Sequence, residues 1–296
     1  MKTKEASRSA GIIAAHRAIH SSKNSNERIC YDPFAKDFLP TGFTVIGKHE
    51  ISEESALELF NAIVPGFHEF FLARTRYIDD YLQNCINKGL EQLVILGAGY
   101  DSRAYRFDEL KKKIKVFEVD HPATQNVKKE KLIEIFQMLP KHVTYVPIDF
   151  QKETLRSCLS ENGYDHHQKT LFIWEGVTMY IDQKAVDETL LFISKNTGNG
   201  SSVVFDYTYP EVIDGTYERK EAKEWLKITE NSDEPIFFGI RNDNIEKFLT
   251  DRGFCNVTNV SSEYFNANYY TGVNKNREST PVFSIAHAVV KKSSNM

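Results

Sequence analysis

Cysteine is scarce in this chain of 296 residues: Cys30, Cys85, Cys158 and Cys255 lie far apart in the sequence. No two of them form a C-x-x-C pair, so their spacing supports neither a zinc cage nor a disulfide framework, and we predict no metal site. Free thiols in a reducing compartment are the simpler interpretation. We therefore expect a cytoplasmic protein.

Long apolar runs and blocks of one charge are also absent. No stretch of eighteen apolar residues occurs, which argues against a membrane-spanning helix, and residues 1–20 lack the apolar core of a secretory signal. The formal net charge is −4, without a dense run of Lys and Arg, so composition gives no support to a nucleic-acid or membrane partner. Hydrophobic residues make up 41% of the chain, which is enough for a sizeable buried core.

The hydrophobic pattern changes near residue 91. Residues 1–90 have helical periodicity and are predicted to form an extension that caps the rest of the chain. Residues 91–296 alternate short apolar runs with helical segments, which is typical of βαβ crossovers and a mostly parallel sheet. We therefore predict one α/β domain with a Rossmann-like core. The predicted strands are residues 93–96, 115–119, 143–148, 171–174, 202–207, 256–261 and 282–290.

Helix signals lie between these runs and before them. Asp32-Pro33 is typical of an N-cap followed by proline at the first helical position, and it predicts a helix that ends near Leu39-Pro40. Residues 208–240 are too long for a simple connection, and we expect this insertion to form part of a lid. The other predicted helices are residues 9–21, 55–62, 67–87 with a stop at Gly89, 128–138, 153–160, 183–195 and 242–251.

The most specific local motif is VILGAGYDSRAYR at residues 94–106. An apolar strand leads directly into Gly97-Ala98-Gly99, and glycines at this point allow a tight turn and a close approach of the backbone to a ligand. The third glycine of the dinucleotide motif would fall at Ser102, followed by Arg103. This departure argues against an NAD-binding protein, which stays an alternative.

Acidic residues follow three of the predicted strands. Asp120 comes about twenty residues after the glycines, the offset of an acid that binds ribose hydroxyls, although a helix N-cap is the alternative. Asp149 follows the third strand, where it can contact an adenine amino group while Phe150 covers the ring, and Glu175 follows the fourth. Parallel sheets bind ligands at the carboxyl ends of their strands, so these acids are predicted to converge on one crevice.

These motifs resemble the leucine carboxyl methyltransferase family, which includes bacterial and polyketide carboxyl methyltransferases. The resemblance covers nearly the whole chain, and LGAGYDSR and FEVDHP are its most specific parts. It implies a class I methyltransferase fold, with a seven-stranded sheet whose last strand is antiparallel. The other motifs, in family order, are AAHRAIHS, YDPFAKDFL, EFFLARTRYIDDYL, IDF, WEGVTMYI, EPIFFGI and DRGF.

The resemblance also implies a cofactor, S-adenosylmethionine, which leaves as S-adenosylhomocysteine. Arg74 matches the arginine that pairs with the cofactor's carboxylate, although its helix alone would suggest a surface charge paired with its neighbours. Glu175 matches an acid near the cofactor's amino group and sulfonium, and Tyr180 a tyrosine near the transferred methyl, so both are catalytic candidates. The remaining implied cofactor residues are Gly97, Ala98, Gly99, Asp101, Asp120, Asp149 and Phe150.

The methyl acceptor is predicted to be a small molecule with a carboxylate or a hydroxyl group. A carboxylate is ionised at neutral pH and needs no general base, whereas a phenol, with a pKa of about 10, benefits from one. Arg17 is a candidate partner for an acceptor carboxylate, and Tyr207 and Tyr209 are candidates for the wall of the acceptor pocket. A protein carboxyl terminus as acceptor and a non-catalytic S-adenosylmethionine-binding protein stay as alternatives. Base candidates by composition are His16, His20, His68 and His121.

Overall fold

The computed structural model describes residues 7–39, 45–46, 49–50, 53–149 and 153–291. No helix among these residues is both long and apolar enough to cross a membrane. Two short strands, β1 (Val45–Ile46) and β2 (His49–Glu50), form an antiparallel hairpin in the N-terminal part. The helices are α1 (Arg8–Ser21), α2 (Glu53–Ile63), α3 (Phe67–Asn87), α4 (Arg103–Arg106), α5 (Leu110–Lys113), α6 (Pro122–Phe136), α7 (Leu155–Glu161), α8 (Gln183–Lys195), α9 (Pro210–Ile213), α10 (Lys220–Glu230), α11 (Ile245–Thr250) and α12 (Ser262–Asn268).

A seven-stranded sheet forms the centre of the molecule, in the order β5-β4-β3-β6-β7-β9-β8. Neighbouring strands from β5 to β7 pair in parallel, and β9 runs antiparallel to both β7 and β8. The chain order reverses between β3 and β6, which places a crevice at the carboxyl ends of these two strands. The strands are β3 (Gln92–Leu96), β4 (Lys115–Asp120), β5 (Val143–Pro147), β6 (Thr170–Trp174), β7 (Ser202–Thr208), β8 (Phe254–Val260) and β9 (Phe283–Val290).

The seven predicted strands and their arrangement are confirmed, including the antiparallel last strand. Strands β3, β6 and β7 are buried at every position, because parallel strands are covered by helices on both faces and require near-continuous apolar sequence. Helix α3 packs its Phe70 ring against Phe283 of β9 at a centroid distance of 4.6 Å. It ends before Gly89, whose φ of +79° is typical of a glycine that terminates a helix.

The helix predicted from Asp32 to Leu39 is wrong. This segment forms successive tight turns, with the Ala35 N–H donating to the Asp32 carbonyl at 3.4 Å. The Asp32 carboxylate accepts the N–H of Phe34 at 3.1 Å and also pairs with Arg17. A tertiary ion pair therefore holds the residue that the sequence suggested as a helix cap.

Helix α1 has the predicted bounds within one residue but buries an unexpected face. Ile12, which belongs to its apolar pattern, is 41% exposed, whereas His16, Arg17 and His20 are buried. This helix lies against α3 and the glycine loop, so its polar side chains face the interior of the cap rather than solvent.

Candidate active site

The glycine loop follows β3 and is enclosed on two sides. Gly97 and Gly99 have positive φ values of +63° and +41°, which side chains rarely adopt. A Cβ atom at Gly97 would collide with the side chain of Val177, which follows β6, and one at Gly99 would lie 3.1 Å from the Cβ of Ala10 on α1. The loop therefore needs glycine both for its turn and for the close approach of its neighbours.

Asp120, at the end of β4, binds the glycine loop directly. Its carboxylate accepts the N–H of Gly99 at 2.5 Å and that of His121 at 2.6 Å. The N-cap of α6 is His121, whose ring accepts the Ala123 N–H, so the alternative of Asp120 as a helix cap is wrong. Burial raises the pKa of Asp120, while the two N–H groups oppose that rise.

Asp149 follows β5 beside Asp120. The preceding residue, Ile148, donates its N–H to the Asp120 carbonyl at 2.9 Å, which brings the ends of β4 and β5 together. Ala98 is buried, and its N–H donates to the Val119 carbonyl at 3.1 Å. Phe150, the predicted cover for an adenine ring, lies outside the described residues.

Four charged side chains, Arg74, Arg103, Glu175 and Asp206, meet at the carboxyl ends of β6 and β7, and we call them the edge cluster. Arg74 Nη1 lies 2.5 Å from Asp206 Oδ2, and Arg74 Nε lies 2.9 Å from Glu175 Oε1. The second Asp206 oxygen accepts the N–H of Gly176 at 2.6 Å, which fixes the backbone after Glu175. The predicted cofactor residues Arg74 and Glu175 are therefore in contact, although α3 and β6 are far apart in sequence.

The Arg74–Glu175 contact is close but poorly oriented. The two atoms, Arg74 Nε and Glu175 Oε1, are within ion-pair distance, yet both are buried without a properly oriented hydrogen-bond partner. Buried polar atoms without partners are rare in folded proteins, and they often mark the position of a ligand or an ion. This pair retains a donor and an acceptor at the end of β6, next to the point where the strand order reverses.

Arg103, the first residue of α4, joins three acidic side chains. Its Nη1 lies 2.6 Å from Glu175 Oε2 and also contacts Asp101, and its Nε lies 2.7 Å from Asp79 of α3. Asp101 in turn accepts the backbone N–H of Arg103 at 2.7 Å. The predicted cofactor residue Asp101 therefore binds Arg103 and the start of α4.

Arg17 of α1 lies over the same loop. Its Nε donates to Asp32 at 2.9 Å, and its Nη2 donates to the Tyr100 carbonyl at 2.6 Å. Although burial alone would raise the pKa of Asp32, the charges of Arg17 and Arg106 lower it. The hydrogen bond from Arg17 to the Tyr100 carbonyl thus holds α1 against the residue after Gly99.

Three of the candidate bases lie together where α1 packs against α3. The Nδ1 atoms of His16 and His68 are 2.8 Å apart, and the rings of His20 and His68 lie 6.0 Å apart. Burial and the nearby charges lower the pKa of His16 and of His20 to about 3 each, and the pKa of His68 is also well below its ordinary value. All three side chains are therefore neutral at physiological pH and are weak bases.

Tyr180 lies between the edge cluster and the insertion of residues 208–240. Burial and the charges of Glu234 and Asp206 raise its pKa above the ordinary value, so it is a neutral hydrogen-bond donor at physiological pH. Glu234 accepts the Ser7 hydroxyl at 2.7 Å, and the Phe237 N–H donates to the Met179 carbonyl at 2.7 Å. The insertion thus contacts both α1 and the Tyr180 segment; its role as a lid stays a prediction.

Tyr207 and Tyr209 do not join the edge cluster. The Tyr207 hydroxyl donates to Asn242 and Asn259 at 3.2 and 3.0 Å, and the Tyr209 hydroxyl bonds to Ser284 at 2.7 Å. Because alternate residues of a strand point to opposite faces, Asp206 reaches Arg74 while its neighbour Tyr207 points away. The structure thus places both hydroxyl groups away from the edge cluster, and the prediction that these two tyrosines line the acceptor pocket stays a prediction.

Sequence reasoning missed two members of the edge cluster, Asp206 and Arg103. Asp206 is an acid inside an otherwise apolar strand, and such a residue is expected to have a partner when buried. Arg103 was noted only as a departure from the dinucleotide motif. Its three acidic partners come from α3, the glycine loop and β6, and this convergence is visible only in the tertiary structure.

Comparison with known proteins identifies the family of this chain. Residues 10–194 match the family model described as leucine carboxyl methyltransferase. A Bacillus subtilis protein named "Putative S-adenosyl-L-methionine-dependent methyltransferase YktD" is 31% identical over 220 residues, which cover 74% of this chain and 72% of the relative. A Mycobacterium marinum protein of the same general name is 27% identical over 252 residues, which cover 83% and 81% of the two chains.

A solved structure shares the fold over almost its entire length. The crystal structure from Thermobifida fusca, described as a "putative methyltransferase", superposes with a TM-score of 0.60. It covers 98% of this chain and 97% of its own, at 12% sequence identity. At that identity the likeness concerns the fold alone.

Proposed function

The chain belongs to the leucine carboxyl methyltransferase family of S-adenosylmethionine-dependent methyltransferases, and we propose that it methylates an oxygen atom of a small-molecule acceptor. One observation carries the proposal: Arg74 and Glu175 meet beside the glycine loop, with Asp120 bound to that loop. This arrangement offers partners for each polar part of the methyl donor, and the acceptor that we favour is a carboxylate.

The residues of the crevice fit S-adenosylmethionine. The orphaned Arg74 Nε is a donor for a carboxylate, and the orphaned Glu175 Oε1 is an acceptor for an ammonium group. One amino-acid end carries both groups, so it would satisfy both atoms at once. The Asp120 oxygens retain lone pairs for ribose hydroxyls, and Asp149 lies next to Asp120 for the adenine side.

The cofactor supplies a methyl group that is already activated on a positively charged sulfur. The protein therefore has to position the reactants and exclude water rather than activate the donor. Glu175 would place a negative charge near the sulfonium, Ala10 of α1 packs against the glycine loop, and the neutral Tyr180 offers a hydrogen bond.

The protonation of the nearby side chains favours a carboxylate as acceptor. Burial and neighbouring charges lower the pKa of His16 and His20 to about 3, and they raise the pKa of Tyr180. None of these three groups is a strong general base at neutral pH. A carboxylate needs no base, whereas a phenol benefits from one. Arg17, which is buried over the glycine loop, is our candidate for orienting the acceptor carboxylate.

A labelling experiment tests the function and the acceptor class together. The protein is incubated with S-adenosylmethionine carrying a radioactive methyl group and with panels of carboxylic acids and phenols. We expect label in a product that mild base hydrolyses, which identifies a methyl ester. A base-stable product would identify an ether and refute the carboxylate assignment. A peptide with a C-terminal leucine, included because of the family name, tests for a protein acceptor.

The control for this experiment is Glu175→Gln, which keeps the size of the side chain but removes its charge. We expect it to lose most of the labelling. Equal labelling by the two proteins would exclude Glu175 from the reaction. No labelling of any acceptor, together with no binding of S-adenosylhomocysteine, would refute the proposed function.

A further inference from the structure

Arg103 is the most highly connected residue of the edge cluster. Its side chain is 3% exposed, and its guanidinium contacts Asp79, Asp101 and Glu175. A fourth contact, 3.3 Å from Nη2 to the Thr75 carbonyl, reaches the backbone of α3 just after Arg74. Arg103 therefore connects the helix that carries Arg74, the glycine loop and the end of β6.

The chemistry of arginine explains why this position takes arginine and not lysine. A guanidinium is a planar fork with five N–H donors, and it can bond several carboxylates in different directions at once. A lysine ammonium is a compact point charge at the end of a flexible chain. Arginine is therefore better suited than lysine to a position with three acidic partners on three separate elements.

The charge of Arg103 acts most directly on Glu175. Burial alone would raise the pKa of this carboxyl group, but the charges of Arg103, Arg74 and Arg17 lower it to about 2. Acidic groups also surround Glu175: Asp101 binds Arg103, and Asp206 binds Arg74. Without Arg103, Glu175 would be a buried acid near two others, with a single direct cation.

We propose that Arg103 is a positioning residue that keeps Glu175 ionised and oriented toward the methyl donor. It also binds Asp101 of the glycine loop and Asp79 of α3, and so fixes the position of α3 relative to the loop. This places Arg74 and Glu175 at the same end of the sheet. Its action on Glu175 is a property of the ligand-free protein. Its consequence for binding rests on the proposed function.

The matched variants are Arg103→Gln and Arg106→Gln. Arg106 also binds Asp79, at 2.6 Å, and its side chain is 9% exposed, but no ion pair joins it to Glu175. Both variants thus remove a cation from Asp79, and only the first removes one from Glu175. Arg103→Lys is the conservative variant, which retains charge if the Gln variant fails to fold.

The first measurement is a carbon-13 NMR titration of the Glu175 carboxyl group in ligand-free protein, assigned with Glu175→Gln. We expect its pKa to rise by about one unit or more in Arg103→Gln, by less in Arg103→Lys, and to be unchanged in Arg106→Gln. An unchanged Glu175 titration in Arg103→Gln, or in Arg103→Lys if only that variant folds, would overturn the proposal.

The second measurement is calorimetric binding of S-adenosylhomocysteine at pH 8 and pH 6. The ligand's ammonium needs an ionised Glu175, so affinity is present above the pKa of that carboxyl and is lost as pH falls through it. A rise of about one unit from about 2 leaves Glu175 ionised at both pH values. We therefore expect Arg103→Gln to bind at least about threefold more weakly than wild type and Arg106→Gln at both, because Glu175 loses its orientation. Equal affinity of all three proteins would contradict the role in binding. Failure of wild type to bind refutes the proposed function instead, and the NMR titration still decides the role of Arg103.

Discussion

The molecule buries opposite charges in two places that differ in their surroundings. The edge cluster lies at the carboxyl ends of β6 and β7 beside the glycine loop. The other place, which we call the inner pair, consists of Glu118 of β4 and Lys128 of α6, 2.8 Å apart and 1% exposed each. The Tyr105 hydroxyl donates to Glu118 at 2.8 Å, and the Lys128 ammonium lies 5.5 Å from the Tyr105 ring centroid.

Burial and poor hydrogen-bond orientation do not distinguish the two places. Glu118 Oε2 and Lys128 Nζ also lack properly oriented partners, as Glu175 Oε1 and Arg74 Nε do. The difference is position, because the inner pair is enclosed between a strand and a helix, whereas the edge cluster lies at the carboxyl ends of the strands, near the point where the chain order reverses. Open α/β sheets bind ligands at that point, so position, and not burial, indicates the binding site.

The largest expected effect is on stability, at the inner pair. Lys128→Ala leaves Glu118 buried without its cation, and we expect it to lower the free energy of unfolding by about 3–5 kcal/mol. Replacing both partners, Glu118→Leu with Lys128→Met, should recover most of this loss. Urea unfolding measures both. A double variant as unstable as the single one would show that the inner pair is a net source of stability.

The two carboxyl groups should affect acid stability with opposite signs. The pKa of Glu175 in the folded protein is about 2, against an ordinary 4.5, so its contribution of about 3 kcal/mol is present above pH 4.5 and is lost as pH falls toward 2. Burial raises the pKa of Glu118 despite Lys128, so its contribution grows as pH falls. Urea unfolding between pH 6 and pH 3 should lose stability less steeply in Glu175→Gln and more steeply in Glu118→Gln. Equal slopes of stability against pH in the two variants would show that the two carboxyl groups do not differ in this way.

Ligand binding should depend on the crevice and not on the inner pair. Asp120→Ala removes the acceptor of the Gly99 N–H and the proposed ribose contacts, and we expect about 100-fold weaker binding of S-adenosylhomocysteine. The Glu118→Leu, Lys128→Met double variant should bind within about threefold of wild type. Calorimetric titration measures both, with NAD expected to give no heat. Unchanged affinity of Asp120→Ala would separate Asp120 from the ribose.

The smallest expected effect concerns the cover that α1 forms over the crevice. Gly99→Ala should cost about 1–2 kcal/mol of stability, because its backbone is left-handed and its new methyl group meets Ala10 at 3.1 Å. Gly89→Ala is the matched control, since it has φ +79° and nothing within 4 Å of its Cβ. Thermal unfolding measures the loss of stability in both variants, and the extra loss in Gly99→Ala is due to the contact with α1. Equal losses would show that α1 does not rest on the loop.

Local sequence was sufficient for the sheet but not for the cap. The strands were predictable because each parallel strand needs a short, continuous apolar run, as in β3 and β6. Helix α1 was also predictable, but its buried face was not, since His16 and Arg17 are buried by contacts with α3 and the glycine loop. The helix expected at Asp32 fails for the same reason: its carboxylate is held by Arg17.

The candidate site was predictable where a family motif marked it. Arg74, Asp120 and Glu175 were named from their motifs, and the structure brings Arg74 and Glu175 into contact while Asp120 holds the glycine loop. Asp206 has no local motif, because its role depends on which face of β7 meets α3. Tyr207, one residue away, points to the opposite face of the strand, which the sequence alone does not reveal.

The sequence by itself determined the strands of the α/β core, the glycine turn and the acids that end its strands, because periodicity and turn chemistry act over a few residues. The tertiary structure alone decided which charges meet. Arg103 contacts three acids, Asp206 pairs with Arg74, and Glu118 pairs with Lys128. Ion-pair energies depend on distance and burial, and both are set only when elements distant in the chain pack together.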